Sequence, residues 1–262
     1  MKLDFTKFQA TGNDFIMLDN RKGKINPDKK TIALLCDRRK GIGADGLIML
    51  SLNTEFDFTM HYYNSDGGLG TMCGNGGRAI TAFAQQLKII SKKTTFEAYD
   101  GKHCAELLSF KDNVYNIKLQ MQDVKNIIKT KNTFIIDTGS PHLVVFTENV
   151  DKLNVFSEGA KLRYSKAFAE KGINVDFVEI FKQHILVRTY ERGVEAETLS
   201  CGTGVVASAI AAFTAKYVSN TDIKVKTLGG ELKVKFKNNA NCYSDIWLSG
   251  EVVSVFKGTI NI

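Results

Sequence analysis

Proline is nearly missing from this 262-residue chain, which has two. No proline-rich or low-complexity stretch announces a linker. Long apolar runs are lacking as well, and none approaches the ~20 residues of a membrane span. The start, MKLDFTKFQA, shows no apolar run followed by a cleavage site, so a cytoplasmic chain without a membrane partner is expected. The five cysteines are odd in number and have no CxxC spacing, which argues against a disulfide framework or a metal site. Basic residues outnumber acidic ones by 35 to 28, but Lys29-Lys30, Arg38-Arg39-Lys40 and Lys92-Lys93 are short, scattered runs. Without a basic stripe interleaved with aromatics, no nucleic-acid partner is expected.

Cofactor motifs are equally scarce. There is no P-loop, no H-E-x-x-H and no EF-hand loop. GIGADG (41–46) fits the G-x-G-x-x-G spacing, but it follows a helical pattern and leads into the strand-like LIMLS. A dinucleotide site needs the reverse order, so this segment reads as a turn. No cofactor and no metal are expected.

What is present is an ordinary globular composition, 44% hydrophobic and 24% charged, long enough for one large or two ordinary domains. Alternation in LDFTKF (3–8), FDFTMHYY (56–63), NVYNIKLQM (113–121), HILVRTYE (184–191) and ELKVKFK (231–237) predicts strands with one buried face. Asn26-Pro27 predicts an N-cap and first position for a helix over DKKTIALLCDRR. A second helix is expected from Ser157 to Lys171, closed by Gly172. Cys36, Cys104 and Cys242 fall in ordinary helix or strand patterns and are expected to pack as small hydrophobes.

Two cysteines stand apart. Cys73 opens CGNGGRAI and Cys201 opens CGTGVVAS, and 201 − 73 = 128 residues is close to half the chain. After each, apolar residues recur at helical spacing: Ala79, Ile80, Phe83, Ala84 and Leu87, then Val205, Val206, Ala209, Ile210, Phe213 and Tyr217. Each half therefore reads as a strand-rich shell around one central helix, with the boundary inside 112–125. A helix start favours thiolate and binds carboxylates, and the glycines let backbone approach a ligand. One such cysteine would read as a core filler before a turn; two at half-chain separation point to function. Inverting a carbon centre without a cofactor needs a base on one face and an acid on the other, which two like thiols supply.

At this point the sequence resembles the diaminopimelate epimerases, on ATGNDFI (10–16), RRKGIGADGLI (38–48), YYNSDGG (62–68), MCGNGGRA (72–79), TGSPHLVVF (138–146), INVDFVEI (173–180) and VRTYERGVEAETLSCGTGVVAS (187–208). The resemblance implies an α/β fold of two pseudo-symmetric domains with the active site in the cleft between them. It places residues 1–117, with Cys73, in the first domain and 118–251, with Cys201, in the second. The last strand, 252–262, is expected to return to the first. It also implies a pyridoxal-independent isomerase of lysine and cell-wall precursor synthesis, in which Cys73 and Cys201 are the acid–base pair and His142 and Glu191 tune the thiols. Asn13, Asn64, Gly74, Asn75, Asn174, Glu191, Arg192, Gly202 and Thr203 are the implied substrate ligands. The implied partner is small-molecule diaminopimelate, with a homodimer left open. Ser140 replaces the asparagine many members carry, and Gly46 the glutamine of some, so the fine geometry of binding is expected to differ. A proline or hydroxyproline racemase and a catalytically silent anion-binding module are the rival readings.

Overall fold

The computed structural model describes residues 2–130, 132–239 and 242–261. Its contacts divide the chain into two units, Met1–Leu119 with Gly250–Ile262, and Gln120–Ser249.

The first unit is built from β1 (Lys2–Ala10), β2 (Asn13–Asp19), α1 (Lys29–Cys36), β3 (Gly46–Ser51), β4 (Phe58–Asn64), α2 (Gly74–Gln86), β5 (Lys93–Ala98), β6 (Gly101–Lys111) and β7 (Val114–Gln120). The second holds β8 (Ile127–Lys129), β9 (Thr133–Asp137), β10 (Pro141–Phe146), α3 (Val155–Arg163), β11 (Asn174–Ile180), β12 (Ile185–Glu191), β13 (Ala196–Thr198), α4 (Gly202–Thr214), β14 (Asp222–Thr227) and β15 (Gly230–Asn239). The final strand, β16 (Cys242–Asn261), gives its start to the second unit and its end to the first.

In the first unit the strands run in the order β1 to β7 and then β16, which pairs with both β7 and β1 and so closes the ring. Closure removes the exposed edges an open sheet would leave. In the second unit the order is β16-β15-β14-β12-β11-β10-β9-β8. The segment before β8 then bonds back to β16, through Met121 N–H to Ile246 O at 2.8 Å and a Val124–Tyr243 bridge. Each ring surrounds one helix. α2 packs on β1, β2, β3 and β6, and α4 on β9, β10, β11, β12, β14 and β15.

The units repeat one topology. β2–β3 and β10–β11 are parallel, β3–β4 and β11–β12 antiparallel, and β4–β5 and β12–β14 parallel again. Register makes the correspondence residue-specific. Gly46 lies between Phe15 and Asn64 in the first unit. Asn174 lies beside His142 in the second, one step beyond the Val175–Tyr190 pair and hence opposite Glu191. Phe15, Gly46, Ile48 and Asn64 thus occupy the places of His142, Asn174, Asp176 and Glu191.

The strand residues Val144, Val178 and Val187 form an apolar core with Val205, Ala209 and Ile210 of α4. Alternate residues of the same strands, Leu143, Val175, Phe177 and Tyr190, bury a second cluster on the α3 side. Gly159 lets α3 sit against Tyr190, whose Cβ would overlap an added methyl.

Two helix expectations need correction. The first helix is capped by Asp28, whose carboxylate accepts from Thr31 N–H at 2.8 Å, rather than by Asn26 ahead of Pro27. An aspartate three residues before a free N–H outcompetes the more distant asparagine. The helix expected over 157–171 starts earlier, at Val155 behind the Asn154 cap, and ends at Arg163. Residues 164–171 form turns that close at Gly172, φ +71°. The glycine stop is real, but the chain reaches it through turns. Cys36 is buried, and burial pushes its thiol up to about 11.

Candidate functional site

Cys73 is the extended N-cap of α2 (φ −108°, ψ 124°), and Cys201 holds the same place on α4 (φ −112°, ψ 112°). Neither side chain caps its helix. Each cysteine stands at the positive end of its helix's dipole, which favours negative charge there. The two surroundings differ.

Around Cys73 the chemistry is amide and cation. Its thiol donates to Asn13 Oδ1 at 3.6 Å, and Asn75 Nδ2 reaches the same oxygen at 3.4 Å. Asn75 Oδ1 accepts from Arg78 Nη2 at 2.6 Å and from Thr11 Oγ1 at 3.4 Å. Arg78 also donates to Thr11 Oγ1 at 3.1 Å and to the Glu251 carbonyl at 3.2 Å. Its side chain is fully buried, its Nε finds no partner, and among the described residues no carboxylate pairs with it. Burial lowers the guanidinium to about 10, and the nearby Cys73 charge pulls the other way. By the same attraction Arg78 favours a negative Cys73 sulfur.

Asn13 is fixed from behind. Its Nδ2 donates to Asp45 Oδ2 at 2.8 Å, and Asp45 N–H donates to Asp14 Oδ1 at 2.9 Å. Asp14 also pairs with Lys7 at 2.9 Å and Arg38 at 2.7 Å. Burial alone would raise the Asp14 pKa, but hydrogen bonds from Arg38 and Lys7 outweigh it and hold the carboxyl at about 2. A depressed acid stabilises the fold above its unfolded pKa and loses that contribution as pH falls through the folded one. The contribution here is on the order of 1–2 kcal/mol after allowing for the exposed Arg38. Urea unfolding should show the advantage of wild type over Asp14→Asn shrinking from pH 5 to pH 2. A difference that stays constant across that range would reject this account.

Around Cys201 the chemistry is acidic. Thr203 Oγ1 lies 3.4 Å from its sulfur and 2.9 Å from His142 Nε2. His142 Nδ1 lies 2.8 Å from Asp176 Oδ2, and Thr189 donates to Asp176 Oδ1 at 2.7 Å. His142 and Asp176 are both fully buried. Burial, then the charges of Glu191 and Asp176, push the Cys201 thiol well above its ordinary value. Burial also raises the Glu191 carboxyl, against a 2.5 Å hydrogen bond from Thr198. His142, Asn174, Asp176, Thr189 and Glu191 all stand on the α4-facing side of β10, β11 and β12. The apolar core becomes polar where α4 begins.

The sequence-predicted residues fall into two groups. Cys73, Asn13, Asn75 and Gly74 gather at the start of α2, and Asn64 ends β4 as an exposed side chain. Cys201, Gly202, Thr203, His142, Asn174, Glu191 and Arg192 gather at the start of α4. Several are committed internally. Asn75 is 1% exposed, and Asn174 spends Oδ1 on Arg192 N–H at 2.8 Å and Nδ2 on Ser140 Oγ at 2.9 Å and the Pro141 carbonyl at 3.0 Å. Ser140 thus holds Asn174, with the Arg192 guanidinium 3.5 Å from the same hydroxyl. Sequence reasoning does not single out Arg78, Thr11, Asp45, Asp176 or Thr189. For Asp176 a signal exists: a carboxylate on the inward-facing alternation of NVDFVEI, where the first unit has Ile48. Among the described residues, no cluster of His, Cys, Asp and Glu could hold a metal ion.

Comparison with known proteins fits this two-fold construction. The diaminopimelate epimerase family model matches twice, over residues 5–125 and 134–254. A diaminopimelate epimerase of Flavobacterium psychrophilum is 48% identical over 97% of this chain and 98% of its own length. That of Chlorobaculum tepidum is 41% identical over 97% and 99%. Among solved structures, a Bacillus anthracis phenazine biosynthesis protein of the PhzF family superposes with a TM-score of 0.77 at 14% identity, covering 100% of both chains. A hydroxyproline epimerase from Agrobacterium vitis gives 0.69 at 12% identity, covering 99% of this chain and 92% of its own. At such identities the structural likeness is one of fold alone. The sequence relationship is stronger: the chain belongs to the diaminopimelate epimerase family.

Proposed function

We propose that the chain interconverts LL- and meso-diaminopimelate through Cys73 and Cys201, without a cofactor. The observation that carries this reading is the repeat itself: each half of a diaminopimelate epimerase chain places one cysteine as the extended N-cap of its central helix. One sulfur, as thiolate, takes the Cα proton and becomes a thiol. The other, as thiol, gives a proton to the opposite face and becomes a thiolate. The products carry the same charge as the reactants, and the pair is left ready for the reverse reaction.

A carbanion next to a carboxylate needs its charge spread, and backbone N–H groups at a helix start suit that task. Those of Gly74-Asn75 and Gly202-Thr203 are the candidates. Exposed Asn64 and Arg192 are suited to the distal amino-acid end, Arg192 by its fork for a carboxylate. Diaminopimelate is the only partner this mechanism requires. No helix of the described residues is long and apolar enough to cross a membrane, and the cytoplasm is the proposed compartment.

Incubation in heavy water with LL-diaminopimelate, beside L-proline, tests the reading. Deuterium should appear at the inverted carbon of diaminopimelate, in the presence of EDTA and without added pyridoxal phosphate. Comparable kcat/KM on proline would instead favour the hydroxyproline-racemase reading. No exchange with either compound would favour a silent binding module.

A further inference from the structure

The repeat shows where the two halves part. In the first unit the strand positions beneath the start of α2 are Phe15 and Ile48, both fully buried. In the second, the equivalent positions are His142 and Asp176, equally buried. A charged residue is expensive in a core unless it is paired and hydrogen-bonded. Asp176 meets that condition, since each of its oxygens accepts one bond, from Thr189 and from His142.

Those bonds set a direction. A carboxylate only accepts, so the ring proton of His142 lies on Nδ1. Its Nε2 then presents a lone pair, toward which Thr203 Oγ1 lies at 2.9 Å and Asn174 Nδ2 at 3.5 Å. The Asn174 amide is oriented independently: its Oδ1 takes the Arg192 N–H and its Nδ2 faces the Pro141 carbonyl. Both hydrogens of that nitrogen go to Ser140 and Pro141, so it sets no acceptor against Nε2. The Thr203 hydroxyl gives its hydrogen to Nε2, and its oxygen faces Cys201 as an acceptor.

We propose that Asp176 is a positioning residue that orients the chain Cys201–Thr203–His142, each group donating to the next, so that Cys201 rests as the proton donor of the thiol pair. This rests on the two-thiol reading above. The other groups facing the sulfur agree with it. Glu191, on β12, repels a thiolate there, and Asp176 adds its own charge from β11. With the Thr203 hydrogen given to His142, the Gly204 N–H of α4 itself is the one of these groups that favours the ionised form. The first unit has no counterpart to this acidic set among its described residues, and it has the buried Arg78 cation instead. To become a thiolate, Cys201 must have the Thr203 hydroxyl turn round, and His142 must then supply a hydrogen at Nε2.

Asp176→Asn reverses the polarity with little change in shape. The oxygen of the new amide still accepts from Thr189, while its nitrogen donates to His142 Nδ1. The ring proton moves to Nε2, and Thr203 then donates to the sulfur. Alkylation of Cys201 by iodoacetamide, followed across pH by peptide mapping, should show its midpoint falling by at least about one pH unit, about tenfold faster labelling below the midpoint. Loss of charge alone would act without Thr203, so the same substitution in a Thr203→Val background should shift the midpoint less than half as far. An unmoved midpoint, or equal shifts in both backgrounds, overturns the proposal.

Wild-type protein supplies a check that needs no variant. Long-range ¹⁵N NMR of His142 should show Nδ1 protonated and Nε2 bare, and a protonated Nε2 with bare Nδ1 overturns the proposal too. The two readings fail separately. An active Cys201→Ala enzyme sinks the two-thiol mechanism, whereas an unmoved midpoint beside an inactive Cys201→Ala sinks only the role of Asp176.

Discussion

Replacing Cys73 or Cys201 by alanine is expected to abolish epimerisation, by at least ~10²-fold as for a lost acid–base group. The loss should be chemical and not structural. Both cysteines are small, extended N-caps whose side chains make no cap bond, so alanine at either place removes little from the helix. Each variant should still exchange the Cα proton of the one stereoisomer that faces its surviving thiol. The survivors differ, and so should the pH at which this exchange appears. Cys201→Ala leaves Cys73 close to the buried Arg78 guanidinium, which favours its thiolate. Cys73→Ala leaves Cys201, a thiol raised by burial and by Glu191 and Asp176, so its exchange should need more alkaline solution. On the two-thiol reading the intact enzyme works with one proton for the pair, and kcat/KM should be bell-shaped, with both limbs belonging to the pair. Near-wild-type epimerisation by either variant, measured with LL-diaminopimelate, would falsify the two-thiol mechanism.

Much of this site is legible without coordinates. The half-chain echo of Cys-Gly-x-Gly before apolar helical spacing is a local signal, and helix N-caps and strand alternation are set by local rules. For that reason residue types alone place Cys73 and Cys201 at the starts of α2 and α4 and locate the long strands. Helix ends are less legible. Asp28 rather than Asn26 caps α1, and turns rather than helix lead to Gly172, because several polar residues compete for the same orphan N–H groups.

Arg78 and Asp176 are hidden for another reason. Each sits in a stretch whose spacing is plain, but a charge in the sequence does not say whether it is buried, and burial is what gives these two their effect. The side chains of Asn75 and Asn174 show the converse. Their residue type suits a ligand site, yet the folded chain commits most of their hydrogen bonds to itself.

Gly204→Ala is expected to destabilise the protein strongly, and its counterpart Gly76→Ala hardly at all. The two glycines stand three residues after Cys201 and Cys73, in equivalent turns of α4 and α2. An alanine methyl at 76 would meet the Ile48 Cδ1 at 3.1 Å and the Met60 Cε at 3.2 Å, the free ends of flexible apolar side chains. Those ends can give by a few tenths of an ångström, and alanine in a helix recovers up to ~1 kcal/mol over glycine. The net change should stay within ~1 kcal/mol, or about 3 °C in Tm for a chain of this size. At 204 the methyl would overlap Asp176 Oδ1 outright and come within 3.2 Å of His142 Cε1. Asp176 has no room to yield, because Thr189 holds that oxygen and His142 the other. Either α4 lifts from β11, or the buried carboxylate loses its partners, and both are costly. A loss of ~2–4 kcal/mol follows, roughly 5–15 °C in Tm. Epimerisation should fall as well, since the displaced groups are those that hold Cys201 in its protonated state. Thermal unfolding of the two single variants side by side decides the matter. If Gly204→Ala melts within a few degrees of Gly76→Ala, Asp176 is not packed as tightly under α4 as this overlap requires.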